Sequence, residues 1–185
     1  MEYSVSTLKT NTIQAATGSN VSIASGHVLQ APGHVLQVQS MTVTTSATSA
    51  AGTTFNDTGL TIDITPSSTS SKIFIMAHVS MSATNGYRYA CRLIRDSSAI
   101  GFATDAGSRT VATVAHQGSG GNIIDQTFPI VFLDSPSTTS ATTYKIKAAC
   151  EQGGGTWYLN RGGLAADNST VYAATSSIAV MEIAG

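Results

Sequence analysis

The sequence predicts an all-β protein, a jelly-roll-like β-sandwich head that follows an extended N-terminal arm. Three observations support this prediction. Apolar and polar residues alternate in many short runs, as in strands that bury one face. No long stretch carries apolar residues at helical spacing. Glycine-rich and proline-containing turns separate the runs at short intervals, which is typical of sandwiches and barrels.

The alternation is clearest in three segments. Residues 60–65 alternate Leu or Ile with Thr or Asp, which predicts a half-buried strand. Residues 72–81 place Ile, Ala, Val and Met on one face, with Phe74 and Met76 on the other. Residues 144–151 alternate apolar side chains with two lysines and a glutamate. Each segment therefore predicts a strand with one face in the core.

Turn residues lie between these runs. Asn85-Gly86 predicts a tight hairpin, because both residues accept positive φ. Further turns or loops are predicted at 66–71, 107, 118–121, 135–143, 153–155 and 162–163.

The N-terminal region differs from the rest. Residues 1–33 contain scattered apolar positions, and the pentapeptide Gly-His-Val-Leu-Gln occurs at 26–30 and again at 33–37. A segment of this kind cannot bury its few apolar side chains alone, so we expect it to be ordered by other copies or by a partner. The sequence therefore predicts an attachment arm over residues 1–33 and the head over residues 34–185.

The amino-acid composition limits the classes of function that the protein can have. Charged residues make up 10% of the chain and the net charge is −1, against roughly 25% charged residues in ordinary soluble domains. Without a basic cluster, the main term in nucleic-acid affinity is missing, so no nucleic-acid partner is expected. The N-terminus lacks the pattern of a secretion signal, and no apolar run approaches membrane length. We expect a protein made in the cytoplasm and not inserted in a membrane.

Cys91 and Cys150 are the two cysteines, and alternation places both on apolar strand faces. Buried free thiols are the favoured interpretation, and a disulfide is the alternative. Two cysteines cannot form a zinc site unaided. His27 and His34 could form rings of three in a trimer, but hydrogen-bonded polar residues are the simpler interpretation. No metal and no cofactor are predicted.

Some strands are apolar on both faces, although a sandwich strand needs only one covered face. The second face would be covered by another subunit or by loops of the same chain. We predict a subunit interface, in a homotrimer, at these residues: Phe74, Met76, Phe128, Ile130, Val131, Phe132, Ile178, Val180, Met181 and Ile183.

Several motifs resemble those of small phage fibre-type proteins. The motifs are Leu8-Lys9-Thr10-Asn11-Thr12-Ile13-Gln14, Gly33 to Val38, Phe55 to Leu60, Ile64 to Ile73, Leu133-Asp134-Ser135-Pro136, Asn160-Arg161 and Met181 to Gly185. The resemblance covers nearly the whole chain. It implies a trimeric, β-rich virion protein that is attached by its N-terminus and exposed at its C-terminal head. The doubled Gly-His-Val-Leu-Gln departs from the family pattern.

Catalytic motifs are not evident. The acidic residues are sparse and mostly in turns, whereas glycoside hydrolysis needs two carboxylates across the scissile bond. No nucleophile elbow or phosphate-binding loop occurs, so the chain is predicted not to be an enzyme. Glu182 lies in an apolar strand, and if buried it is expected to pair with Arg88, Arg92 or Arg95.

A host-surface glycan is the candidate ligand of the head. Exposed aromatic side chains can stack on a sugar ring, and neighbouring Asn or Arg side chains can form hydrogen bonds with its hydroxyl groups. A lone Trp, however, is more often a core anchor. The candidate contact residues are Tyr87, Arg88, Trp157, Tyr158, Asn160 and Arg161.

The leading hypothesis is therefore a non-enzymatic bacteriophage virion protein, a trimeric fibre or spike head that contacts the host and binds other virion proteins through its arm. The alternative is a capsid decoration protein whose arm binds the shell. A polysaccharide-degrading spike is a third class, and it predicts sugar release from host cells.

Overall fold

The structure is a computed structural model that describes residues 31–49, 52–84, 87–104, 107–117, 126–151, 155–162 and 172–185. Residues 31–185 form one compact unit. The predicted arm lies outside the described residues except for its last three positions, and His27 and the Asn85-Gly86 turn also lie outside them.

Eleven strands and no helix occur in the described ranges. They are β1 (Val35–Val43), β2 (Ala47–Ser49), β3 (Gly52–Ile64), β4 (Lys72–Ala83), β5 (Arg88–Arg95), β6 (Ser98–Ile100), β7 (Val114–Gln117), β8 (Gln126–Asp134), β9 (Thr142–Cys150), β10 (Trp157–Leu159) and β11 (Ser176–Ile183). The all-β prediction is confirmed.

Two antiparallel sheets form a sandwich. Sheet A has the order β1-β11-β4-β8, and the short strands β10 and β2 continue it beside the end of β4. Sheet B has the order β3-β9-β5, and both β6 and β7 pair with the free side of β5.

The pairing is nested along the chain. The first long strand pairs with the last (β1 with β11), β3 pairs with β9, β4 pairs with β8, and β5 pairs with β6 and β7. Two four-stranded sheets connected in this way form a jelly roll, so the predicted sandwich type is also confirmed.

The core lies between the two sheets and follows the predicted alternation. In β4 the inward row is Ile73, Ile75, Ala77, Val79 and Met81, and all five side chains are buried. The facing rows are supplied by β3, β5 and β9 of sheet B, and β8, β10 and β11 extend the β4 row within sheet A. Inward residues of both sheets thus form a single apolar layer, as aligned sheet packing requires.

Both cysteines are free and buried, which confirms the favoured interpretation of these residues. The Cys91 Sγ lies 3.1 Å from the Met81 Sδ. Burial raises the pKa of Cys91 to about 12 and that of Cys150 to about 11, because the thiolate loses its solvation.

The hairpin predicted at Asn85-Gly86 is wrong in one respect. The strands on either side of it, β4 and β5, belong to different sheets and do not pair. Both sides of β4 are already occupied, by β11 and β10 on one side and by β8 on the other. The chain therefore passes from one sheet to the other between β4 and β5.

The two ends of the sandwich differ. At one end the chain enters at residues 31–34, where the Gly33 amide donates to the Ala184 carbonyl and the Ala184 amide donates to the His34 carbonyl. The β3–β4 and β8–β9 loops lie at the same end, which we call the arm end. The opposite end, where β5 begins and β9 stops, is called the far end.

Candidate interaction surfaces

An apolar patch covers the outer face of sheet A near the arm end. The strand register places Met181, Phe74 and Leu133 in one row across β11, β4 and β8, and Ala179, Met76 and Val131 in the next row. Val38 on β1 extends the first row. We define the apolar patch as Val35, Val38, Phe74, Met76, Val131, Leu133, Met181 and Ile183.

Five side chains of the patch are largely exposed. They are Val131 at 65%, Val38 at 53%, Leu133 at 49%, Val35 at 47% and Met76 at 39%. The patch crosses four strands at about 4.8 Å spacing, roughly 14 Å between backbone centres, and on each strand its two residues span three or four positions, roughly 7–10 Å. Single exposed apolar residues are normal on a protein surface, whereas exposed apolar residues grouped on neighbouring strands are typical of a contact site.

The patch contains half of the predicted interface residues. Phe74, Met76, Val131, Met181 and Ile183 point outward. The other half faces the core of the same chain: Phe128, Ile130, Phe132, Ile178 and Val180. These five side chains are already covered within one subunit, so the structure corrects their assignment to an interface. Val35, Val38 and Leu133 were not predicted, because their exposure depends on the strand register.

The contact candidates at the far end also divide into two groups. Trp157 is 1% exposed and packs in the core, so the core-anchor interpretation holds for it. Asn160 is buried, and its side-chain amide donates to the Val43 and Thr45 carbonyls while its oxygen accepts from Ser176. Its φ of 59° lies in the left-handed region that Asn tolerates. Trp157 and Asn160 are therefore structural residues, which corrects their prediction as receptor contacts.

The remaining four candidates lie at the surface. Tyr87 is half-buried, and Arg88 is exposed and forms a 2.7 Å ion pair with Glu151. The Arg161 guanidinium carbon lies 4.6 Å from the centre of the Tyr158 ring, within cation–π distance. These residues present aromatic and hydrogen-bonding groups near the far end.

The outer face of sheet B carries a second surface feature, which we call the basic groove. It consists of two adjoining troughs of about 510 and 580 Å³, both lined by Thr53 and Phe55. The first trough includes Arg88, Arg109 and Glu151, and the second includes Arg92, Lys145 and Lys147.

The floor of the first trough is made of alanines. Ala90 of β5 pairs with Ala115 of β7 on one side and with Ala149 of β9 on the other, so the three side chains form one row across three strands. Such a row is about 10 Å wide at the normal strand spacing. Phe55 forms a wall, and the Arg92 guanidinium carbon lies 3.9 Å from the centre of its ring.

Glu182 is fully buried and has no cationic partner among the residues that the structure describes, so the predicted pairing with Arg88, Arg92 or Arg95 is wrong. Its carboxylate accepts four hydrogen bonds of 2.7 Å, from Gln37 Nε2, the Ser67 amide, Ser67 Oγ and Ser71 Oγ. Burial raises the pKa of a carboxyl group, but here the hydrogen bonds outweigh burial and hold the pKa of Glu182 below its ordinary value. We call Glu182 and its three partner residues the carboxylate clasp.

Arg95 pairs with a different acid. Its Nη1 lies 2.9 Å from each carboxylate oxygen of Asp134, and the Tyr144 hydroxyl donates to Asp134 Oδ2 at 2.7 Å. Burial and the adjacent Asp134 raise the pKa of Tyr144 above its ordinary value. This network joins β5, β8 and β9 at the arm end and therefore ties the two sheets together.

The other described carboxylates also have partners. Asp57 lies 3.6 Å from the Lys147 Nζ, Asp63 accepts from the Thr143 hydroxyl, and Asp96 accepts from the Thr143 amide. Within the described part of the chain, no group of three His, Cys, Asp or Glu residues could hold a metal ion. In that part there is also no helix long and apolar enough to span a bilayer.

The chain resembles solved structures of one virus at low identity. No protein-family model matches the sequence, and no curated protein sequence matches it at a significant level. The VP2 subviral particle of infectious bursal disease virus aligns with 81% of this chain and 38% of its own, at 11% identity and a TM-score of 0.41. The Gt strain structure of that virus aligns with 89% of this chain and 42% of its own, at 11% identity and a TM-score of 0.43.

This chain thus spans about two fifths of the length of the chains it matches. With TM-scores this low, the jelly-roll assignment rests on the strand order described above.

Proposed function

We propose that the chain is a non-enzymatic structural protein of a bacteriophage particle, built as a homotrimer whose heads pack through the apolar patch. The exposed patch carries the proposal. Its side chains lie on a regular, well-paired sheet, so they cannot turn inward, and covering them with a second copy removes them from water. The proposed number of subunits, three, rests on the sequence resemblance to phage fibre-type proteins.

The two ends of the head support a defined orientation. The chain enters at the arm end, beside Ala184. The arm, residues 1–33, would therefore bind other virion proteins at that end, and the far end would face the host. Tyr87, Arg88, Tyr158 and Arg161 are the surface residues that this arrangement presents outward.

The hydrogen bonding of the acidic residues supports a non-enzymatic role. Each carboxylate among the described residues is held by a partner within the head, and Asp134 and Glu182 are buried in structural networks. A glycosidase acid or base would instead face an open cleft at a defined distance from a second carboxylate.

The test is the solution mass of the full chain by light scattering. We expect three times the 19.0 kDa mass of one chain. The double variant Met76→Glu and Val131→Glu is expected to lower the mass to that of a monomer, because it places buried charge in every interface. Both positions are exposed in one chain, so folding should be retained.

A matched control is Thr61→Glu, on an exposed position of the outer face of sheet B, which should leave the trimer intact. A trimer that persists in the double variant would place the interface elsewhere. A monomeric wild-type chain would overturn the trimer and favour the decoration protein, which is assembled only on a shell. Release of sugar from host cells would overturn the non-enzymatic assignment.

A further inference from the structure

The basic groove concentrates positive charge on one face of a weakly charged protein. Among the described residues, its two troughs are lined by five of the nine Lys and Arg residues of the chain and by one carboxylate, Glu151. The lining residues are Arg88, Arg92, Arg109, Lys145 and Lys147. Asp57, beside Lys147, offsets part of this charge. The excess remains positive although the whole chain has a net charge of −1, so the groove complements an anion.

The shape of the first trough fits a sugar ring. Ala90 and Ala115 give the trough a flat apolar floor across two neighbouring strands, and Ala149, which is 5% exposed, lies at its covered edge. Arg88 and Glu151, at one end of the row, supply hydrogen-bond donors and acceptors side by side. Thr53 and Thr110 add hydroxyl groups at the edges. An apolar floor with a few convergent polar groups is the usual composition of a small-molecule site.

The second trough supplies the charge. Thr53 and Phe55 line both troughs, and beside them the Arg92 guanidinium is fixed over the Phe55 ring and donates to the Val111 carbonyl at 2.8 Å. Arg92 lines the second trough together with Lys145 and Lys147 of β9, and no acidic residue in the described ranges lines it. A ligand that extends from the alanine floor past Arg92 would bring an acidic group to these lysines.

We propose that the basic groove binds an acidic saccharide, with one sugar ring on the alanine floor and a carboxylate or phosphate near Arg92, Lys145 and Lys147. A nucleic acid fits less well, because single strands need open aromatic platforms for stacking and Phe55 is covered by Arg92. The groove lies on the opposite sheet from the apolar patch, so trimer formation leaves it open. The inference rests on the proposed function only in taking the saccharide from the host surface.

The test uses defined oligosaccharides and the full chain, with affinities measured by ligand-observed NMR. Trigalacturonic acid probes a carboxylate, with maltotriose as its neutral control. Trehalose 6-phosphate probes a phosphate, with trehalose as its control. We expect one acidic sugar to bind saturably and its neutral control to bind at least about tenfold more weakly, because a lost charged hydrogen bond weakens affinity by about that factor. The better acidic ligand identifies the charged group.

Two variants locate the site. Lys145→Ala with Lys147→Ala removes charge from the second trough and should weaken binding at least about tenfold. Ala115→Phe fills the exposed edge of the alanine floor without changing any charge, and it should weaken binding comparably. The control Lys72→Ala lies on sheet A and should leave the affinity unchanged.

Three results would overturn the inference. They are equal binding of acidic and neutral sugars, unchanged affinity in Ala115→Phe, and tighter binding of a ten-nucleotide single-stranded DNA than of either acidic sugar. If the chain is monomeric in solution and still binds an acidic sugar, the saccharide site in the groove is supported and the trimer is refuted. A trimer that binds no acidic sugar would refute the groove alone.

Discussion

The carboxylate clasp offers the most quantitative prediction, through the variants Glu182→Ala and Glu182→Gln. Glu182 connects β11 to the start of β1 and to the β3–β4 loop. Glu182→Ala would leave the Ser71 hydroxyl and the Ser67 amide without their acceptor, and Ser71 is buried. Each unsatisfied buried group costs about 1–3 kcal/mol, and the vacated volume adds to this cost. We expect a loss of about 3–5 kcal/mol in the free energy of unfolding.

Glu182→Gln should be milder, at about 1–2 kcal/mol. The amide keeps the volume, and its oxygen can still accept from Ser67 and Ser71. Its NH₂ group would face the Gln37 amide, which can turn to present its own oxygen. The difference between the two variants therefore separates loss of the acceptor from loss of the charge.

The assay is urea unfolding followed by the fluorescence of Trp157, the single tryptophan, which is buried in the core. Glu151→Ala is the matched control, since its ion pair with Arg88 is largely solvated and should contribute less than about 1 kcal/mol. A Glu182→Ala variant no less stable than Glu151→Ala would refute the role given to the clasp.

The pH dependence of the clasp has a definite sign. The pKa of Glu182 is lowered in the folded protein from its ordinary value of 4.5. Its stabilising contribution is therefore complete above that value and is lost as the pH falls through the lower folded pKa. The stability difference between the wild type and Glu182→Gln should be constant near neutral pH and should shrink in acid. A difference that grows as the pH falls would contradict the hydrogen-bonded carboxylate.

Three further predictions concern the core. Cys91 and Cys150, with pKa values raised to about 12 and 11, should resist a thiol reagent in the native protein and react once urea unfolds it; rapid native reaction would show that they are accessible. Ile146→Ala should lower the free energy of unfolding by about 2–5 kcal/mol, and a loss under about 1 kcal/mol in urea titration would contradict its burial. Tyr144→Phe should cost about 1–3 kcal/mol by the same measurement, because Asp134 loses a buried donor; an unchanged midpoint would remove the hydroxyl from the network.

The strands were predictable because a strand that buries one face alternates apolar and polar residues along the sequence. In β4 the inward row is almost purely aliphatic, and its register against β8 and β11 follows the same parity. β8 and β11 are apolar at both odd and even positions. In these two strands the sequence alone therefore could not distinguish the face in the core from the exposed face. The register separates them, and it depends on partners far away in sequence.

The polar sites were harder to predict for the same reason. Glu182 lies on the inward face of β11 and would be costly without partners, yet the Ser67 and Ser71 donors lie more than a hundred positions earlier. The sequence places Glu182 within an apolar strand. Because a buried acid most often has a cationic partner, an arginine was predicted. The alanine floor is likewise assembled from three distant strands by a nested pairing. Trp157 was predicted as a receptor contact, and only the alternative interpretation as a core anchor, which rests on its size and apolarity, agrees with its burial.

The most direct test of the proposed assembly is a distance measurement between spin labels on the full chain. Thr127→Cys places a label on the outer face of sheet A beside the apolar patch, and Thr61→Cys places one on the outer face of sheet B. The native thiols are buried and should not be labelled. Because the two sheets of each head are about 10 Å apart, and because the distance between equivalent positions in a trimer is √3 times their distance from the axis, packing through sheet A should make the distances between labels at position 127 shorter by roughly 17 Å than those at position 61. Equal distances, or shorter ones at position 61, would contradict assembly through the apolar patch.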